Sequence, residues 1–253
     1  MKHCEVRMTP GTRQAALLSL ALCLAAGFGG GCATKSAPDS GYLSKPELMT
    51  AQRERYPFNR VWLKPGVTKE QYDSIIVAQV NTGYLLENTG WKAVNPANAN
   101  LDKAVTELAR YTEDAFIRAL SSEKNRSWQL ATLPGPRTVV LELAIVELVP
   151  NKALLGAVGL VAPAMISVPA NVAKGTPSCA IEGRIRHSQT GEVLFMFADR
   201  RERQMRVVDV KAVTWWSHAK DIVQDWARES VLLLNTPADY QVKERSRFTL
   251  KPW

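Results

Sequence analysis

The segment from Ser178 to Arg201 constrains the fold more than any other part of this sequence, because it predicts two strands joined by a short turn. Small or apolar residues alternate with charged residues in its first half, a period of two that is typical of a half-buried strand. The turn follows at His187 to Gly191, where Gly191 can take the positive φ that a five-residue hairpin loop needs. The second strand, Glu192 to Asp199, is apolar on both parities and should lie inside a sheet covered on both faces.

The first 31 residues have the layout of a lipoprotein signal peptide. Three basic residues lie near the start, residues 15–28 form an uncharged apolar run of fourteen, and three glycines precede Cys32. A run of fourteen is too short for a transmembrane helix, which needs about 20 residues. The layout predicts cleavage before Cys32 and acylation of this residue, including a palmitate-type lipid anchor. Because Ala33 rather than an aspartate follows, the sorting pattern of bacterial lipoproteins predicts retention at the outer membrane, on its periplasmic side.

Removal of residues 1–31 leaves 222 residues, enough for one domain and a tether. These residues carry 29 basic and 23 acidic side chains, a net charge of +6. Such a surplus suits anionic lipid head groups or cell-wall polymers, but an ordinary solvated surface explains it equally well because no run of five like charges occurs. We expect a membrane contact through the N-terminal lipid, a protein or cell-wall partner or self-association, and no nucleic-acid partner.

Cys179 is the one cysteine that follows Cys32, so the mature chain has no predicted disulfide within it. It is either a catalytic nucleophile or a small buried hydrophobe, and its place inside a strand favours the second interpretation. His187 lies in the predicted turn and His218 near a predicted helix start, and neither has the spacing of a metal ligand. The sequence also lacks a nucleophile elbow and a phosphate-binding glycine loop. It therefore favours a protein that is not an enzyme, and it predicts no cofactor.

The sequence predicts a single α+β domain over residues 72–235, after an acylated Cys32 with a flexible tether and extended segment over 32–71 and before a basic tail over 236–253. Its mostly antiparallel sheet should contain Ser74–Val80, Val139–Leu148 and the hairpin, with amphipathic helices over Leu101–Leu120 and Thr214–Leu234 packed on it. In a regular strand, Glu142 and Glu147 would lie on opposite faces, which argues against a paired-carboxylate site.

An apolar insertion at residues 153–173 departs from this pattern, since it holds twenty-one residues without a charge. Two prolines and two glycines disfavour a continuous membrane-spanning helix. Three arrangements of the insertion are open from sequence. It packs on its own domain or on a second copy of the chain, it contacts a membrane or a partner as a loop, or it spans the membrane. A candidate interaction surface consists of Leu155, Val158, Leu160, Val161, Met165 and Ile166.

Several short motifs together resemble one family of bacterial lipoproteins, known only as domain of unknown function thirty-three-thirteen. They are Ser40-Gly-Tyr-Leu-Ser44, the strand SIIVAQV, the helix DKAVTELARYTEDAFIRAL, and the hairpin with Thr190-Gly-Glu-Val before Ala198-Asp-Arg-Arg201. The likeness covers about Gly41 to Leu234. The resemblance implies a cell-envelope lipoprotein with no established activity. Where the family usually has Asp-Ser in the turn, this chain has His187-Ser188.

Two functions remain open from sequence. The favoured one is an outer-membrane-anchored envelope lipoprotein that acts as a non-enzymatic binding or assembly accessory module. The alternative is a small-molecule or lipid-binding enzyme with a pocket beneath residues 153–173. A titratable pair in a cleft would distinguish the second from the first.

Overall fold

The computed structural model describes residues 36–88, 99–122, 128–149, 178–202 and 217–237. The chain divides into Met1–Lys35 and a compact unit that starts at Ser36, and all described residues belong to that unit. Its two hydrophobic cores are built from described residues between Ala37 and Leu234. Cys32, the insertion at 153–173 and most of the predicted tail lie outside the described residues.

Six strands and three α-helices are present in the described part of the chain. The strands are β1 (Arg60–Leu63), β2 (Ser74–Val77), β3 (Gln129–Leu130), β4 (Thr138–Val149), β5 (Ser178–His187) and β6 (Val193–Glu202). The helices are α1 (Gly83–Asn88), α2 (Ala99–Leu120) and α3 (Ser217–Asn235), and single 3-10 turns occupy Pro46–Leu48 and Lys69–Gln71.

The described strands form one mixed sheet in the order β1-β6-β5-β4-β2-β3. Antiparallel pairing joins β1, β6, β5 and β4 in turn. The expectation of a mostly antiparallel sheet needs correction at the other side, where β2 pairs in parallel with both β3 and β4. Parallel neighbours need a long crossover, and the connection from β2 to β4 contains α2. The α+β class is confirmed.

The predicted hairpin is present as β5 and β6. Gly191 has a φ of 72°, in the left-handed region that the turn requires. β6 lies between β1 and β5, and its apolar residues enter the cores on both faces of the sheet, as the sequence predicted. His187 belongs to the end of β5 rather than to the turn, and its Nδ1 accepts hydrogen bonds from the backbone N–H groups of Gln189 and Thr190.

Helices α2 and α3 cover one face of the sheet, which we call the helix face. The predicted apolar stripe of α3 is buried there, with Ala219 and Trp226 fully inaccessible and Ile222 2% exposed. From α2, Leu108 and Phe116 enter the same core. Packing these stripes removes a large apolar area from water, at about 25 cal/mol per Å², and this is the main stabilisation of the fold.

The N-terminal part of the unit covers the opposite face, which we call the outer face. Ala37, Leu43 and Met49 are buried against small residues of β4, β5 and β6. The residues for which the sequence predicted a tether and an extended segment thus pack on the domain from Ser36 onwards, and β1 pairs with β6 through Trp62 opposite Met196.

The two ends of the sheet differ. The end that holds the β5–β6 turn, residues 188–192, is called the turn end, and Leu63 of β1 and Thr138 of β4 also lie there. The opposite end holds Val149 and Ser178, between which residues 150–177 run. Helices α2 and α3 both end at the turn end. This placement follows from the cavity described below, whose lining combines Leu120 and Leu234 from the last turns of the two helices with strand residues of the turn end.

Candidate functional site

A cavity of about 310 Å³ lies between the helix face and the two long helices, at the turn end. This volume is at the lower end of the range of about 300–1,000 Å³ for ligand pockets. Most of the lining is apolar. The strands contribute Ile75, Val139, Leu141, Ile185, Phe195 and Phe197, and the helices contribute Phe116, Leu120, Leu233 and Leu234.

A row of aromatic rings forms one wall of the cavity. Phe58 stacks on Phe197 with a centroid distance of 4.3 Å, and Tyr56 lies 5.5 Å from Phe195. The row fits because β5 has Gly183 directly opposite Phe197, so the ring lies over the bare backbone. Tyr56 and Phe58 belong to the predicted extended segment over 32–71, and their aromatic side chains are the sequence signal that this part of the segment packs on the domain.

Polar groups occur at the rim. The Lys69 ammonium donates hydrogen bonds to the carbonyl oxygens of Leu233 and Leu234, at 3.2 and 3.4 Å, and so caps the last turn of α3. Burial lowers the pKa of Lys69. Arg55, Glu70 and Pro237 line the same rim and are exposed, so the cavity opens to solvent beside them.

The Ala198-Asp-Arg-Arg201 motif binds the elements of the helix face together. Asp199 accepts hydrogen bonds from Trp226 Nε1 at 2.7 Å, from Arg201 Nε at 2.6 Å and from the backbone N–H of Asn59 at 3.0 Å. Arg201 also pairs with Glu229 of α3 at 2.6 Å. This network fixes α3 and the residues before β1 to β6, so the motif has a structural role.

Arginine pairs also occupy the outer face. Glu142 is ion-paired with Arg184 and Arg186, and Glu147 with Arg200. The prediction that Glu142 and Glu147 face opposite ways is wrong, because a bulge between Ile145 and Glu147 shifts the register by one residue. Glu142 and Glu147 nevertheless pair with different arginines, so the two carboxylates do not form a reactive pair.

The segment Ser40-Gly-Tyr-Leu-Ser44 packs on charged residues of the outer face, Glu182 and Arg184. Ser40 Oγ donates to Glu182 Oε2 at 2.6 Å, and burial raises the pKa of Glu182. The Arg184 guanidinium lies 4.9 Å from the centroid of the Tyr42 ring, and burial raises the pKa of Tyr42 to about 12. Gly41, with a φ of 88°, makes the tight bend between them. The motif therefore holds the N-terminal segment on the sheet.

The remaining candidate residues belong to the core or the turn. Cys179 is fully buried, and burial raises the pKa of its thiol, which favours the interpretation as a small hydrophobe. His218 is buried at the start of α3. The described residues contain no group of three or more histidine, cysteine or acidic side chains that could hold a metal. Among these same ranges, no helix is long and apolar enough to cross a membrane.

The cavity does not lie at the end of the sheet from which residues 150–177 leave and return. Its strand lining comes from the first residues of β4 and β6 and the last residues of β5, at the turn end. The six residues of the predicted interaction surface, from Leu155 to Ile166, lie outside the described residues.

The signature motifs, now placed in the fold, agree with a match to a family model over residues 38–230. The chain belongs to the family described as protein of unknown function, DUF3313. The resemblance found in the sequence is thus confirmed at the level of the family. No curated protein matches this chain.

Three solved structures are partly similar to this DUF3313 protein. The PelC dodecamer from Paraburkholderia phytofirmans is 11% identical with a TM-score of 0.39, and the match covers 70% of this chain and 96% of that one. Protein XCC0632 from Xanthomonas campestris is 10% identical with a TM-score of 0.33, covering 69% and 91%. Lipoprotein GNA1162 from Neisseria meningitidis is 12% identical with a TM-score of 0.22, covering 61% and 98%.

Proposed function

We propose that this DUF3313 protein is a lipid-anchored protein of the cell envelope that binds an apolar small molecule or acyl chain without transforming it. The cavity at the turn end carries the proposal. It combines an apolar lining, an aromatic wall and a rim that opens to solvent, which are the features of a small-molecule site. Its strand walls have no charged side chain, and the charged groups lie at the rim.

A binding role fits this lining better than catalysis. An enzyme needs a titratable pair within reach of the reacting atoms. In the described part of the chain, the buried carboxylates lie outside the cavity lining: Glu147 and Asp199 pair with arginines, and Glu182 accepts a hydrogen bond from the Ser40 hydroxyl. The ligand would accordingly be held by apolar contact and shape.

Filling the cavity should weaken binding without loss of stability. Ile185 lines the cavity and is only partly buried, so Ile185→Phe places a ring in the empty space and gains contacts there. We expect the affinity for N-phenyl-1-naphthylamine, a fluorescent apolar probe, to fall about tenfold or more, or about 1.4 kcal/mol per factor of ten. Titration by fluorescence measures this change, and the thermal midpoint should not fall.

The control for this variant is Ile76→Phe. Ile76 follows the buried Ile75 in β2, so its side chain is on the outer face and does not line the cavity. Probe affinity should be unchanged in the control. Equal affinities in both variants and the parent would refute binding in the cavity, as would the absence of probe binding to the parent protein.

The anchoring part of the proposal rests on the layout of residues 1–32. Replacement of Cys32 with serine removes the thiol that is acylated, so the protein should lose all labelling by radioactive palmitate in intact cells. A buried acyl chain supplies about 0.8 kcal/mol per methylene group, which is how the anchor would hold the protein at the membrane. Unchanged lipid labelling in Cys32→Ser would show that this residue is not the anchor.

A further inference from the structure

The exposed large apolar side chains of the described residues gather at one end of the domain. All are leucines, and each is at least 39% exposed: Leu48, Leu63, Leu130, Leu133 and Leu232. Single exposed leucines are common on protein surfaces and need no explanation. Their position relative to the cavity is the informative observation.

Three of these leucines are placed at the turn end by strand pairing and hydrogen bonds. Leu63 is the last residue of β1, opposite Phe195. Leu130 pairs with Ile75, which is level with the second residue of β4. Leu133 comes two residues before Gly135, which donates to and accepts from the Ser188 hydroxyl of the turn.

The other two belong to elements that end or begin there. Leu232 lies in the last turn of α3, next to Leu233 of the cavity lining. Leu48 comes two residues before Thr50, which forms an antiparallel bridge with Val61, so it lies towards the Leu63 side of β1. The five leucines therefore surround the end of the domain at which the cavity opens.

The most exposed of them is also firmly held. Leu133 is 76% exposed and is followed by Pro134 and Pro136, whose rings fix φ. The two hydrogen bonds between Gly135 and Ser188 tie this loop to the hairpin turn. An apolar side chain held outwards in this way keeps its contact with water unless another surface covers it.

We infer that the turn end is a docking surface for a lipid bilayer and that the apolar ligand enters the cavity from the bilayer. The second part rests on the proposed function. Leu63 belongs both to the exposed set and to the cavity lining, so the apolar surface continues from the rim into the cavity. An acyl chain that leaves the hydrocarbon of the bilayer at this point can enter the cavity without crossing water.

The composition of this surface favours a bilayer over a protein partner. Trp, Tyr and Arg dominate the hot spots of protein interfaces, whereas leucine is under-represented there. The charges nearby nearly cancel, since Lys64 pairs with Glu192 and Arg137 with Asp73, and the rim residues Arg55, Lys69 and Glu70 leave a surplus of a single positive charge. Docking should thus depend on apolar insertion and only weakly on salt or on anionic lipids.

Flotation with vesicles tests the inference on residues 33–253, since both cores lie within that part of the chain. The vesicles consist of phosphatidylethanolamine with a minor fraction of phosphatidylglycerol. The parent should float with them at low and high salt. Leu133→Asp and Leu232→Asp, which do not line the cavity, should each reduce partitioning about tenfold, the effect of keeping one leucine out of the hydrocarbon.

Lys103→Gln is the control, because it changes the net charge by the same amount near the start of α2, about 26 Å along the helix from Leu120. It should float like the parent. Thermal midpoints check the fold of each variant, and Leu133→Ser replaces any aspartate variant that unfolds. A parent that does not float, aspartate variants that float equally well, or a Leu133-dependent dimer seen by light scattering without vesicles would overturn the inference.

Probe binding separates this inference from the proposed function. Leu133→Asp should still bind N-phenyl-1-naphthylamine in the absence of vesicles, because Leu133 is not part of the cavity lining. A parent that binds the probe but does not float has the ligand site without the docking surface. A parent that floats but does not bind the probe has the docking surface without the ligand site.

Discussion

Replacement of Asp199 with alanine should destabilise the domain by about 3–5 kcal/mol, the usual cost of removing one partner of a buried ion pair. The Asp199 side chain is 3% exposed and that of Arg201 is 10% exposed. Its loss leaves the Arg201 charge with Glu229 as its remaining ion-pair partner among those described, and leaves the Trp226 indole N–H without its acceptor. Urea unfolding followed by tryptophan fluorescence measures the change.

Asp73→Ala is the matched control for this prediction. It removes the same kind of side chain from an ion pair, at 2.6 Å from Arg137, but both partners are about half exposed. Surface pairs contribute little because water screens them and the side chains lose entropy. The loss for Asp73→Ala should therefore be a small fraction of that for Asp199→Ala. Similar unfolding midpoints for the two variants would show that the Asp199 network does not hold α3 on the sheet.

The expected destabilisation shows why a motif shared within a family need not mark chemistry. Asp199, Arg200 and Arg201 are three consecutive charged residues in a strand whose other residues are mostly buried and apolar. Alternation along the strand places Asp199 and Arg201 on the helix face and Arg200 on the outer face. On each face, their partners are distant in sequence. Glu147 comes from β4, Glu229 from α3 and Asn59 from the segment just before β1. Their convergence could not be predicted from the residues near the motif.

Local patterns predicted the parts of the fold that depend on local chemistry. The half-buried state predicted for β5 is wrong, because its first six residues are all buried and the N-terminal segment covers the outer face. The alternation of β5 residues between the two faces, the positive φ of Gly191 and the apolar stripes of α2 and α3 do appear in the structure. Each of these features depends on a few neighbouring residues. Periodicity and turn propensity therefore suffice to predict them.

Features that depend on pairing were predicted less well. The four residues of β1 have no clear alternation, and their strand state depends on pairing with β6. The bulge near Val146 has no sequence signal, yet it moves Glu147 onto the same face as Glu142. The parallel pairing of β2 depends on how the connection through α2 runs, which strand patterns do not specify.

The cavity was the hardest feature to predict, because a gap in a core depends on the shapes of residues from many elements. Tyr56, Leu194 and Leu234 come from three parts of the chain and would suit a filled core equally well. The alternative from sequence, a small-molecule or lipid-binding enzyme with a pocket beneath residues 153–173, stays a prediction, because those residues lie outside the described part of the chain.

The second large effect on stability is expected at Gly183, which lies beneath the aromatic wall of the cavity. A methyl group at position 183 would overlap the Phe197 ring, of which the three nearest atoms all lie within 2.9 Å of the added carbon. The ring has little room to move because Phe58 stacks on it and Phe195 lies 5.9 Å away. Gly183→Ala should therefore destabilise the domain by about 1–3 kcal/mol, the usual cost of overpacking, and the change appears as a lower unfolding midpoint in urea.

Gly83→Ala is the control, since Gly83 is in a helix and the nearest atom to an added carbon is Asn81 Oδ1 at 3.4 Å. Alanine favours helix over glycine by about 0.5–1 kcal/mol, so this variant should be unchanged or slightly more stable. If Gly183→Ala lowers the stability and Gly83→Ala does not, the loss at Gly183 is due to the ring above it rather than to the added methyl group itself.

A double-mutant cycle with Phe197→Leu decides whether the overlap with that ring is the cause. If it is, Gly183→Ala should cost far less in the Phe197→Leu background than in the parent, with a coupling energy of about 0.5–3 kcal/mol. Additive losses would instead locate the strain in the β5 backbone. Because Phe197 lines the cavity, the same variants also report on the site. Phe197→Leu enlarges the cavity and should keep probe binding, which would separate the packing role of Gly183 from ligand binding.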